Sequence, residues 1–110
     1  MTIELDIACL LLLIHYIADF KFQSHWMATN KSKSWLALSA HVLVYSLMFS
    51  LTLNWQFVVI NGILHFITDA ITSRMSSKLF GKNWHDFFEV IGGDQYIHTV
   101  TLLTTWVLLN

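Results

Sequence analysis

Charge and sulfur are what this sequence has least of. Only 12% of its residues are charged, and Cys9 is its one cysteine. A lone cysteine excludes an intramolecular disulfide and any zinc cluster built on thiolates, and it leaves Cys9 to pack as a small hydrophobe. The scarcity of charge is matched by 55% hydrophobic and 15% aromatic residues and a mean hydropathy of +0.57. That balance departs from the usual soluble domain and reads as an integral membrane protein. No basic cluster resembles a nucleic-acid footprint, so nucleic-acid binding is not expected. The opening Met-Thr-Ile-Glu-Leu-Asp also lacks the basic start of a signal peptide, so the first apolar run is expected to be retained.

One membrane span takes roughly 20 apolar residues, so a chain of 110 has room for four and for short connections only. The apolar runs predict helices over about 3–22, 35–53, 57–73 and 94–109. The expected fold is an all-α polytopic bundle of four transmembrane helices, a single transmembrane domain over 1–110. All six basic residues, Lys21, Lys31, Lys33, Arg74, Lys78 and Lys82, fall in two segments. The positive-inside rule makes those segments cytoplasmic and puts both termini outside the inner membrane. Between helices 3 and 4, Trp84, Phe87, Phe88 and Ile91 share one helical face, with His85, Asp86 and Glu89 opposite. This reads either as a short interfacial helix or as a loop with aromatic anchors. Gly92-Gly93 is expected to end it, with Asp94 opening helix 4 as its N-cap.

The few polar residues inside the apolar runs carry the functional signal. His15-x-x-x-Asp19 and His65-x-x-x-Asp69 each place an imidazole and a carboxylate on one helix face, where burial is costly unless the pair is satisfied or used. A shift of fifty residues lays one motif on the other, and aligning the following helices sets His41 opposite His98. The chain therefore reads as two parallel hairpin repeats. In that arrangement His15, Asp19, His41, His65, Asp69, Asp94 and His98 converge within about 10 Å of the cytoplasmic interface.

Histidines and carboxylates without sulfur have the composition of a zinc, manganese or iron site in a helical bundle. The expected ligands are His15, Asp19, His41, His65, Asp69 and His98, with Asp19, Asp69 and Asp94 as the catalytic carboxylates. A bound divalent ion would turn water into hydroxide near neutral pH. Gln23, Gln95 and the basic rim of Lys21, Lys33, Arg74 and Lys78 would then receive a phosphate ester on a lipid carrier. On this reading the partners are membrane lipid and a lipid-linked substrate. Two other readings stay open: a non-catalytic membrane protein that binds a partner or alters the envelope, with His and Asp only fixing helix register, and ion or proton transport, for which four helices would need a homo-oligomer.

His15-x-x-x-Asp19-Phe20-x-x-Gln23, Lys31-Ser32-Lys33, His41, His65-x-x-Thr68-Asp69 and Asp94-Gln95-x-x-His98 together resemble the domain-of-unknown-function 3307 family of small bacterial and phage membrane proteins. The resemblance covers most of the chain and implies a membrane protein with these polar residues, but no activity. The chain is also loosely similar to proteins assigned as membrane-bound metal-dependent hydrolases.

Overall fold

Four side-chain caps divide the chain into its helices. In the computed structural model, which describes residues 1–110, Ser24 Oγ accepts from the Met27 N–H, Ser34 Oγ from Ala37, Asn54 Oδ1 from Phe57 and Asn83 Oδ1 from Asp86. Each cap satisfies one of the backbone donors that a helix start leaves unpaired. The resulting elements are α1 (Leu5–Tyr16), a π-helical turn (Ile17–Lys21), α2 (His25–Asn30), α3 (Trp35–Phe49), a 3-10 turn (Ser50–Thr52), α4 (Trp55–Leu79) and α5 (Trp84–Leu109). Two residues with positive φ end helical segments: Leu53 at φ 57° before α4, and Gly81 at φ 75° before α5. At Gly81 the missing Cβ makes that conformation inexpensive.

α4 and α5 pack along one another more extensively than any other pair, and α3 lies against α4. Gly62 permits the α3–α4 approach, since a Cβ there would stand 2.8 Å from Ser46 Oγ. One end of the interior is apolar, built from Leu11, Ile14, Ala18, Tyr45, Phe49, Phe57 and Leu102. Most of the remaining buried residues are polar. His15, Asp19, His41, His65, Asp69, Asp94 and His98 are all buried, cross-linked between helices by ion pairs and hydrogen bonds. A radius of gyration of 14.0 Å is close to the ~13 Å of a compact domain of this length.

This architecture corrects the expected four-span membrane bundle. Only one helical stretch, Trp35–Thr52, is long and apolar enough to cross a membrane by length and composition. α1 and its π turn together cover 17 residues (12 and 5) and α2 has 6, short of the roughly 20 that a span requires. α4 and α5 are long enough at 25 and 26 residues. Their length, however, is interrupted by Asp69, Arg74 and Lys78 in one and Asp86, Glu89 and Asp94 in the other. The multi-pass inner-membrane placement, with both termini outside, falls with the spans it was built on. What the structure has instead is a compact all-α domain of five helices.

The segment between the third and fourth expected helices is corrected as well. There is no separate interfacial helix. α4 runs past Ser73 to Leu79, and α5 starts at Trp84 and continues through Gly92-Gly93. The Asn83 cap begins α5 eleven residues before Asp94, so Asp94 is an interior helical residue rather than an N-cap. Two glycines cost about 1 kcal/mol each against alanine inside a helix, which a helix packed along α4 can carry. The aromatic residues of this stretch gather around Phe80, whose ring centroid is 5.1 Å from Trp84 and 5.5 Å from Phe87.

Candidate metal centre

Every helix except α2 sends a side chain into the polar interior. Asp19 comes from the π turn, His41 from α3, His65 and Asp69 from α4, and Asp94 and His98 from α5. The π turn carries Asp19. Its wider coil, closed by the Phe22 N–H donating to Ile17 O at 2.9 Å, turns Asp19 toward α3 and α4. His15, from α1, is buried in the same interior with its Nε2 3.9 Å from Asp19 Oδ2.

Asp19, His41, His65 and Asp69 form a His/His/Asp/Asp ligand cluster capable of coordinating a divalent metal ion. His41 Nε2 and His65 Nε2 stand 3.0 Å apart. His41 Nε2 is 2.9 Å from Asp19 Oδ1 and 3.2 Å from Asp69 Oδ2; for His65 Nε2 the same two distances are 3.5 and 3.3 Å. A tetrahedral ion bound at ~2.0–2.1 Å needs donor atoms separated by about 3.3 Å. The five separations that involve an imidazole nitrogen, 2.9 to 3.5 Å, thus already match the spacing of a tetrahedral shell. Asp19 Oδ1 lies near His41 Nε2 but out of line for a hydrogen bond, so it is buried and unpartnered, as are Nδ1 of both rings. Such an orphaned carboxylate oxygen is costly without a cation.

A second group overlaps the first. Asp19, Asp94 and His98 also bring ligand atoms within 4.8 Å of one another. His98 Nε2 lies 3.1 Å from Asp94 Oδ1 and 3.1 Å from Asp69 Oδ1. Gln95 ties the carboxylates together, its Nε2 donating to Asp19 Oδ2 at 2.9 Å and Asp94 Oδ2 at 3.2 Å. His15 Nε2 donates to Gln95 Oε1 at 2.8 Å, which leaves His15 Nδ1 to accept from the Tyr45 hydroxyl at 3.2 Å. Both His15 nitrogens are therefore engaged, and His15 orients Gln95 rather than joining either ligand group. The aromatic rings are layered, with His65 stacked between Tyr45 at 3.9 Å and His98 at 4.0 Å.

The protonation states follow from burial and neighbours. Burial alone would raise the Asp19 carboxyl, but His41, His65 and the Gln95 amide outweigh it and hold Asp19 below the usual carboxylate range. Asp69 is likewise held well down, against burial, by His41, His65 and His98. Burial pushes His65 down, so its ring is neutral. In His41 burial acts the same way, yet Asp19 and Asp69 win and raise it. The Tyr45 hydroxyl is pushed well up by burial and by the nearby aspartates, which keeps it a hydrogen-bond donor.

A cavity of about 550 Å³ opens onto this cluster, with Asp19, Asp94 and Gln95 in its wall. Lys31, Lys33, Ser73, Ser76 and Gln23 line its polar part. Ser73 Oγ and Gln23 Oε1 are buried there without partners. Phe20, Phe80, Phe87 and Ile91 give the cavity an apolar side. Another groove, of about 460 Å³ between α3 and α4, is lined by no titratable residue and lies apart from the cluster.

Of the residues expected to contact a substrate, Gln23, Lys33 and Gln95 line this cavity, whereas Lys21, Arg74 and Lys78 do not. Arg74 turns back on its own helix, donating to Ala70 O at 2.8 Å with its guanidinium 4.2 Å from the centre of the Trp35 ring. Sequence reasoning missed Lys31, whose Nζ donates to Asp69 Oδ2 at 3.1 Å. Nothing in its spacing distinguishes it, because it reaches the cluster only by the fold-back of the short α2. Thr72, which donates to Asp94 Oδ1, was missed with it. Tyr45 had a readable signal, one helical turn beyond His41.

No curated protein and no solved structure matches this chain. A family model described as protein of unknown function (DUF3307) matches residues 7–110, and the chain belongs to that family.

Proposed function

We propose that the chain is a divalent-metal-dependent hydrolase acting on a phosphate ester that carries an apolar group. The observation that carries this reading is the cavity that meets the ligand cluster: Asp19 and Asp94 belong both to its wall and to the candidate metal ligands. A divalent ion lowers the pKa of bound water toward neutrality and so supplies hydroxide without a strong base. With an ion held by these residues, the hydroxide oxygen would bond to phosphorus as the bond from phosphorus to the alcohol oxygen breaks, and the alcohol would leave with a proton taken from water. Lys31 and Lys33 offset the charge of the phosphoryl group, Ser73 presents an unpartnered hydroxyl, and Phe20, Phe80, Phe87 and Ile91 accept the apolar group. A lipid-linked phosphate has this combination of head and tail.

The test is phosphate release from alkyl phosphates of short and long chain by protein loaded with zinc, manganese or iron. Hydrolysis should depend on metal, favour the longer chain, and fall at least 100-fold in His65→Ala. Lys33→Ala should raise KM several-fold with little change in kcat. Absence of metal-dependent hydrolysis with all three ions would sink the reading.

A further inference from the structure

We infer that the cluster holds two divalent ions side by side, bridged by Asp19 and Asp69; this rests on the metal-dependent reading above and deepens it. Both carboxylates are split between two groups of ligands. Asp69 turns Oδ2 toward His41 and His65, at 3.2 and 3.3 Å, and Oδ1 toward His98, at 3.1 Å. Asp19 turns Oδ1 toward His41 and His65, at 2.9 and 3.5 Å, and Oδ2 toward the Gln95 amide that also holds Asp94. The first ion would take His41 and His65, the second Asp94 and His98, and each would take one oxygen from Asp19 and one from Asp69.

Several independent features fit this arrangement. The two sets of ligand atoms share Asp19, so a pair of ions would be neighbours rather than separate sites. Carboxylates that bridge through their two oxygens set ions about 3.5–4 Å apart, the separation found in two-metal hydrolytic centres. Asp19 is 4% exposed and its Oδ1 has no hydrogen-bond partner, although it faces two imidazoles. Gln95 and Thr72 supply donors that orient the second set, to Asp19 Oδ2 and Asp94 Oδ2 from one and to Asp94 Oδ1 from the other. Such a pair would hold both the attacking hydroxide and a phosphoryl oxygen of the substrate. The cavity wall at Asp19 and Asp94 places that substrate against the second ion.

The metal-free chain is loaded in turn with zinc, manganese and iron(II), desalted, and assayed for metal per chain by elemental analysis. The manganese form is also examined by electron paramagnetic resonance. Two ions per chain are expected, with the exchange-coupled spectrum of a manganese pair. His98→Ala should bind one ion and give an uncoupled six-line spectrum, while the wild-type stoichiometry and coupling decide the matter even if that variant does not fold. One ion per chain, or two without coupling, overturns the bridged pair and leaves the hydrolase reading standing. No stoichiometric binding of any of the three overturns both.

Discussion

His98 is pinned between two carboxylates, with its Nε2 at 3.1 Å from Asp69 Oδ1 and 3.1 Å from Asp94 Oδ1. Burial would lower its pKa, but the two aspartates outweigh burial and lift it to about 9. In an unfolded chain a histidine titrates near ~6.5. The folded value is the higher one, so the protonated ring stabilises the metal-free fold. That contribution is complete below about pH 6.5, declines as pH rises, and is lost once pH passes about 9. Thermal unfolding of the metal-free chain should therefore show Tm falling across this window. Asp94→Asn, which removes one of the two charges facing the ring, should flatten the fall. A decline of equal steepness in the variant would mean that His98 is not its source. The same residue shows what the sequence could disclose at this scale. A histidine or aspartate inside an apolar run stands out, so Asp19, His41, His65 and Asp69 could each be singled out as candidates from the sequence. Lys31 sits among other polar residues of a connecting segment, and only the folded chain brings it to Asp69.

At the scale of the elements, the start of α5 separates pattern from capping chemistry. Trp84, Phe87, Phe88 and Ile91 look like one face of an isolated surface helix when Gly92-Gly93 is taken as a stop. The decisive signals were smaller ones just upstream. Gly81 adopts the left-handed conformation that closes α4, and Asn83 then caps α5 through the Asp86 N–H at 3.1 Å, while its own Nδ2 donates to Asp86 Oδ2 at 2.9 Å. Asn83→Ala removes both bonds and should cost about 1 kcal/mol of stability in urea unfolding. An unchanged midpoint would mean that the first turns of α5 are not held by this cap and that the helix effectively begins later. The π turn was beyond reading in the same sense. A one-residue widening has no sequence signature, yet it carries the Asp19 that meets His41 and His65.

At the scale of the whole molecule, half of the interior is polar: ten of the twenty buried residues carry polar or charged side chains. Hydropathy summed along the chain records how apolar a helix is and not which face is turned inward. The all-α architecture was therefore legible in the composition, and the number of spans was not. The arrangement also predicts how metal should act on stability. The candidate ligands come from the π turn, α3, α4 and α5, so an ion at the cluster ties together elements that the apolar core joins only at its own end. Without an ion, three buried carboxylates are balanced only by imidazole protons and Lys31. Anything that binds the folded chain alone raises its stability by RT ln(1 + [L]/Kd), about 2.7 kcal/mol at a hundredfold excess over Kd. Because the ligands span most of the helices, that gain should appear as one cooperative shift of the unfolding midpoint, seen equally by helix content and by the tryptophans at positions 35, 84 and 106. Chelation should reverse it. If no ion moved the midpoint, or if it moved one probe alone, the cluster would be a proton-balanced polar core and not a metal centre that organises the fold.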